Sequence, residues 1–297
     1  MEREQRLASF KVNAYAWLLL LPSLIFLVLF TFYPVIQTVL LSFYQADLGT
    51  PEPLFNGIDN YKRMLEDDVF WKVITNNLWF ALWTVPTSMV LALLMALYAN
   101  HVLRGKGFIR TAYFYPTVLP MIAAANIWLF IYTPEYGALS HVLQWIGLDQ
   151  LNWLGDQDLV MWAMVIMVVW KEAGYFMIFY LAGLQNISQE LYESASVDGA
   201  RPWTVFRRVT FPLLMPTTLF VMIIATTNSF KLVDHLVIMT KGGPDNASSL
   251  LLYYIYEHAF TFWDQGMAAT LTFVMIVILL LIAAVQFFGM DKKIHYN

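Results

Sequence analysis

The chain has no cysteine among its 297 residues. That absence excludes disulfides, iron–sulfur clusters and thiolate metal sites, and it leaves the redox compartment undetermined. Charge is scarce too. Asp, Glu, Lys and Arg make up 13% of the residues, about half the share of an ordinary soluble domain. Basic charge is in deficit, with a net charge of −4 and a pI near 5.7, so there is no electrostatic footprint for nucleic acid. No G-x-x-x-x-G-K-[ST] phosphate loop is present; Arg104-Gly105-Lys106-Gly107 lacks the upstream glycine and the Ser/Thr. There is no H-E-x-x-H pair, no nucleophile-elbow serine and no ring-forming ion-filter motif. The usual device for binding ATP is missing, and no catalytic constellation stands out.

What the chain does have is apolar length. Hydrophobic residues make up 59% of it, the mean hydropathy is +0.59, and runs of about 20 or more apolar residues recur throughout, as membrane-spanning helices require. The expected fold class is all-α: a polytopic membrane protein with six transmembrane helices, at roughly 14–43, 73–98, 108–132, 158–184, 211–233 and 268–288. The first run, from about Tyr15 to Phe43, is longer than a signal-peptide core and is followed by no small-residue cleavage site, so an uncleaved first helix is expected. Pro22, Pro34, Pro86, Pro116 and Pro120 fall inside spans. Each removes a backbone donor and can kink its helix where neighbours or cavity water satisfy the freed carbonyl.

Lys and Arg in the loops set the orientation. With the N-terminus inside, eleven basic residues lie in cytoplasmic segments (Arg3, Arg6, Lys11, Arg104, Lys106, Arg110, Arg201, Arg207, Arg208, Lys292 and Lys293) and four outside (Lys62, Arg63, Lys72 and Lys241). Both termini are therefore expected in the cytoplasm, with Trp71, Trp153 and Trp263 near outer span ends. The longest aqueous segments, about 30–35 residues, are too short for a domain with its own core.

One polar segment, 186–212, lies between two long apolar runs. It reads as two short helices with a break. Ser188 caps the first, and Glu190 sits in its first turn where the dipole favours a negative charge. Gly199 suits a left-handed C-terminal position, and Pro202 the first position of the second helix. Trp203, Phe206 and Arg207 follow at i, i+3, i+4, giving an aromatic and basic side. From these residues alone, two readings stand: an amphipathic linker on the membrane surface, or a projecting handle for another protein.

The segment Glu193-Ser194-Ala195-Ser196-Val197-Asp198-Gly199, followed after nine residues by Val209-Thr210-Phe211-Pro212, resembles the motif E-A-A-x3-G-x9-I-x-L-P. That motif belongs to the type-1 permeases of binding-protein-dependent ABC importers, where it docks on the ATPase. Glu193, Ala195, Gly199 and Pro212 fall on its positions; Ser194, Val209 and Phe211 depart conservatively. Pro22, Tyr33-Pro34, Phe55-x-Gly57-x-x-Asn60-Tyr61, Arg110 with Tyr115-Pro116 and Pro120, and Lys241-Gly242-Gly243-Pro244 with Tyr253, Tyr256 and Ala259-Phe260 resemble the carbohydrate branch, of maltose and glycerol-phosphate type. The likeness runs from about residue 14 to the C-terminus.

The resemblance implies a permease subunit of an ATP-driven importer of a sugar or related polyhydroxy solute, in a bacterial or archaeal cytoplasmic membrane. It implies coupling to the ATPase through Glu193, Ser194, Ala195, Asp198, Gly199 and Pro212. The implied partners are two ATP-binding subunits, a second similar permease and an extracytoplasmic solute-binding protein; the last would meet outer loops near Gly242, Gly243 and Pro244. No cofactor is expected on this chain, and ATP-Mg would sit on the partners. The implied organisation is 1–71 (tail, first helix, first outer loop), 72–288 (five-helix domain carrying the 186–212 segment) and 289–297 (cytoplasmic tail).

Two features suggest where a solute could pass. Lys171 and Glu172 lie near the middle of the fourth span, where charge is expensive and faces a bundle interior or a wet cavity. Adjacent helix positions point about 100° apart, so the two cannot fully neutralise one another. They form either a buried ion pair holding helices together or, with Tyr175 one turn on, part of a solute route. Asn228, Lys231 and His235 recur at i, i+3, i+7 near the outer end of the fifth span, beside Asp234. Asn228 and Lys231 are the second set of route candidates, although Lys231 can equally snorkel to the interface. An ion-coupled secondary transporter using Lys171, Glu172 and His235 as a charge relay is the alternative function.

Overall fold

A computed structural model describes residues 2–47, 49, 52–101, 105–147 and 149–291, with backbone only for 2–14, 290 and 291. Arg104, Lys292, Lys293 and the end of the 289–297 tail lie outside these residues. So do the side chains of Arg3, Arg6 and Lys11. The chain forms two compact units, 1–66 with 257–274, and 67–256 with 275–297.

In the first unit, α1 (Glu2–Leu27), a π turn (Val28–Phe32) and α2 (Tyr33–Leu41) run in series. They include an apolar span, Tyr15–Leu41, of which nothing is buried inside the chain. The π turn has a local cause. Pro34 clashes with an ordinary helical carbonyl four residues back; the widened turn lets Tyr33 N–H donate to Val28 O instead. A hairpin of β1 (Tyr44–Gln45) and β2 (Leu54–Phe55) pairs Tyr44 with Phe55. It is followed by α3 (Asp59–Glu66). Buried Asn60 donates to Ser42 O (3.0 Å) and Tyr44 O (2.9 Å), and Arg63 pairs with Asp264 at 2.9 Å.

The second unit holds α4 (Asp68–His101), α5 (Lys106–Val118), α6 (Met121–Tyr132), α7 (Ala138–Trp145), α8 (Val160–Gln185), α9 (Gln189–Val197), α10 (Pro202–Val205), a second π turn (Phe206–Thr210), α11 (Phe211–Leu213), α12 (Met215–Lys231) and α13 (Asp234–Met239). It shares α14 (Leu251–Phe260) and α15 (Gln265–Asp291) with the first. Helix α8 is the axis of this unit. Its first half, Val160 to Val169, packs in one apolar cluster with Phe80, Ala124, Ala125, Leu236 and Met239. Its second half, Phe176 to Leu184, packs in another with Val85, Ala92, Ala96, Leu214 and Val221. Small buried residues on α4 (Ser88, Ala92, Ala96, Ala99) allow the close backbone approach that membrane helices use to associate.

Among the described residues, five helical segments are long and apolar enough to cross a membrane: Tyr15–Leu41, Asp68–His101, Val160–Gln185, Met215–Met239 and Gln265–Gly289. The third expected span, 108–132, is not one straight helix. It is α5 and α6, bent by 95°. The break follows from Pro120, which drives the preceding Leu119 into extended backbone (φ −65°, ψ 134°). The fifth span is also interrupted: Leu232 is extended (φ −78°, ψ 111°) between α12 and α13, with Lys231 in the last turn of one and Asp234 in the first turn of the other. Each charge thus lies at the helix end whose dipole favours it.

Candidate functional site

The 186–212 segment folds into an elbow. Ser188 Oγ accepts from Glu190 N–H at 3.3 Å, opening α9. The helix closes when Ala200 N–H donates to Ala195 O (2.9 Å) and Gly199 N–H to Ser196 O (3.0 Å), the paired bonds of a Schellman motif, with Gly199 left-handed at φ +67°. Pro202 stands at the start of α10, and Trp203 stacks on Phe206 at 5.5 Å. A second π turn then precedes Pro212, with Phe211 N–H donating to Phe206 O, repeating the arrangement before Pro34.

The elbow has two faces. Glu190, Glu193, Ser194, Val197 and Asp198 line one depression and are exposed, Val197 at 88%. On the other face Tyr192, Trp203, Phe206 and Thr210 join Leu93 and Leu97 of α4 around an apolar cleft of about 710 Å³. Tyr192 OH and Thr210 Oγ1 lie 3.3 Å apart, a cross-link between α9 and the turn leading to the fifth span. Ala195 is half-buried, and Gly199 and Pro212 are exposed. Among the described residues no intramolecular salt bridge uses Glu190, Glu193, Asp198, Arg201, Arg207 or Arg208. The elbow thus presents an exposed acidic ridge closed by a Schellman cap.

The loop after α13 is pinned rather than free. Gly242 is left-handed (φ +78°), and a Cβ there would lie 2.9 Å from Tyr253 Cε1. Ser248 Oγ donates to Gly243 O at 2.7 Å. Helix α4 holds the loop from one side: Lys72 pairs with Asp245 (3.0 Å), and Asn76 Nδ2 donates to Asn246 O (2.8 Å) and Ser249 O (3.1 Å). Gly242 is buried while Gly243 and Pro244 are half-buried.

At the centre of α8 the two adjacent charges go separate ways. Lys171, only 6% exposed, donates from Nζ to the carbonyls of Leu119 (2.6 Å), Pro116 (3.3 Å) and Thr117 (3.3 Å). Thr117 Oγ1 donates back to Lys171 O at 3.0 Å. Glu172 instead accepts from Asn228 Nδ2 at 2.9 Å. Each charge thus finds its partners outside α8, as the 100° offset of adjacent helix positions leads one to expect, and the ammonium donates to three carbonyls inside the fold. Tyr175, Glu172 and Asn228 are half-buried and Lys231 is exposed. The i, i+7 relation of Asn228 to His235 does not survive, because Leu232 interrupts the helix between them. His235 is fully buried against Phe80 (ring centroids 6.1 Å), with neither ring nitrogen hydrogen-bonded. Lys171, Glu172 and His235 therefore form no hydrogen-bonded relay. Sequence reasoning missed Tyr192, Thr210, Lys72 and Asn76; their partners are remote in the chain and leave no local pattern.

Long apolar spans with a polar elbow between two of them fit a membrane transport component. Residues 88–290 match the family described as "Binding-protein-dependent transport system inner membrane component", and the chain belongs to that family. It is 34% identical over 284 residues to the sn-glycerol-3-phosphate transport system permease protein UgpA of Agrobacterium fabrum, covering 95% of this chain and 96% of the relative. It is 33% identical over 284 residues to the lactose transport system permease protein LacF of Rhizobium radiobacter, covering 93% and 94%. Its fold matches, with a TM-score of 0.82 and 23% identity over 97% of this chain and 99% of the other, the crystal structure of a bacterial ABC transporter involved in the import of the acidic polysaccharide alginate. The chain is a multi-pass inner-membrane transport component.

Proposed function

We propose that this chain is one permease half of an ATP-driven importer that carries a sugar or related polyhydroxy solute. A solute-binding protein delivers the solute outside, a second similar permease completes the pathway, and two ATP-binding subunits in the cytoplasm close on ATP-Mg. The chain itself binds neither nucleotide nor metal. Both termini face the cytoplasm, and no nucleic acid is involved.

The observation that carries this reading is the elbow. Its exposed acidic ridge makes no ion pair among the described residues, is fixed by a Schellman cap, and is joined to the fifth span through Tyr192 and Thr210. Glu193, Ser194, Ala195, Asp198 and Gly199 receive the ATP-binding subunit, and Pro212 starts the helix that carries the displacement inward. Each partner must favour one state of the pathway for ATP to drive alternating access. Glu172, Asn228, Tyr175 and Lys231 offer hydroxyl-binding and aromatic groups to the solute, while Lys171 serves the fold. The loop at Gly242, Gly243 and Pro244 is stiff enough to meet a solute-binding protein without an ordering cost. The solute class is supported by the glycerol-phosphate and lactose relatives.

Reconstitution with ATP-binding subunits, second permease and loaded binding protein tests it. Uptake should require ATP and persist when ion gradients are collapsed. Glu193→Lys should abolish uptake and co-purification of the ATP-binding subunits while membrane insertion stays normal. Uptake that follows the proton gradient, or that survives Glu193→Lys undiminished, overturns the reading.

A further inference from the structure

The two broken spans share one anchor. Pro116 O would accept from residue 120 in an unbroken helix, but Pro120 has no N–H, so that carbonyl is left without its helical partner. The 95° bend frees the carbonyls of Thr117 and Leu119 as well. Lys171 takes all three, at 2.6–3.3 Å; a cation at a helix C-terminus is also what the dipole favours. The next residue, Glu172, holds Asn228, which lies in the last turn of α12 and whose own carbonyl receives Leu232 N–H at 3.1 Å, at the second break. Consecutive residues of α8 thus grip the stem of each broken span just before its hinge.

Beyond the hinges, α6 and α13 pack against each other and against the first half of α8, in the cluster that includes Ala124, Ala125, Leu236 and Met239. The stem of the fifth span, α12, packs instead in the cluster around the second half of α8. Lys171 and Glu172 fall in the gap between these two clusters, after Val169 and before Phe176. Cores are bistable rather than continuously deformable, so motion concentrates at such a seam.

We propose that Lys171 and Glu172 are positioning residues for transport: they fix the two hinges so that α6 and α13 swing as one body about the middle of α8. This rests on the importer reading, because it is ATP closure that drives the swing. Loss of the ammonium leaves three half-buried residues, Pro116, Thr117 and Leu119, without the donor to their carbonyls, and frees the bend. Arginine at 171 keeps donors within reach, and glutamine at 172 keeps the acceptor for Asn228.

The experiment uses the complete reconstituted complex and the cysteine-free background. Spin labels at Ile127→Cys on α6 and Ile178→Cys on α8 report their separation by pulsed EPR in nucleotide-free and ATP-trapped states. The wild-type distance should shift between states. Lys171→Met and Asn228→Leu should broaden the nucleotide-free distribution and cut uptake roughly tenfold, a typical coupling loss, with the ATP-binding subunits still co-purifying. Lys171→Arg should keep both the narrow distribution and most of the uptake, and Glu172→Gln should keep the narrow distribution. ATP-driven wild-type uptake with an unchanged α6–α8 distance overturns the inference alone. So does wild-type uptake by Lys171→Met. Absence of ATP-driven uptake in the wild-type complex overturns the importer reading itself.

Discussion

At Gly199 the backbone is left-handed and nothing lies within 4 Å of where a Cβ would stand, so any penalty for substitution there is conformational rather than steric. Alanine should cost about 1 kcal/mol, whereas asparagine tolerates the conformation. If the cap fixes the docking ridge, Gly199→Ala should weaken binding of the ATP-binding subunit about fivefold and Gly199→Asn should barely change it. Affinity measurements on the assembled complex distinguish the two. The cap was legible in advance because its chemistry is local: Ser188, Gly199 and Pro202 each announce a backbone geometry within a few residues. The destination of Lys171 was not. Hydropathy reveals that a lysine in mid-span needs partners, but its acceptors exist only because a different span breaks 51 residues earlier, at Pro120.

Elements were legible as apolar lengths and illegible as directions. A window of hydropathy has the same value whether the chain runs straight or turns by 95°, so α5 and α6 read as one span. Pro116 and Pro120 flagged the place without fixing the angle. The interruption at Leu232 was better marked, by Lys231 and Asp234 three residues apart, yet the helical spacing of Asn228, Lys231 and His235 read straight through it. Close approach between elements was hidden altogether. Gly174 on α8 faces the carbonyl oxygen of Tyr113 on α5, and a Cβ there would come within 2.1 Å of it. Backbone cannot yield as a flexible side chain can, so Gly174→Ala should force α5 off α8 at a cost of about 1–3 kcal/mol. A lowered unfolding temperature of the purified protein in detergent, with Gly107→Ala unchanged as the open-space control, checks it.

At the scale of the whole molecule, the orientation proposed from the loop charges puts the elbow on the cytoplasmic side and the loop containing α7 on the other. Val197 and Trp145 are both 88% exposed, and the chain has no native cysteine to confuse labelling. An impermeant maleimide added to intact cells should modify Trp145→Cys at once, and Val197→Cys only after the membrane is opened; the reverse pattern inverts the topology. The apolar stretch Tyr15–Leu41 poses a different requirement, since with no residue buried in its own chain it depends on lipid or another subunit for its solvent. The joint at Pro120 has a consequence for substitution. A residue there with its own amide would favour a straight chain through Leu119 and take acceptors from a cation that has no water to replace them. The imino acid at one helix break and the ammonium on another helix thus depend on each other.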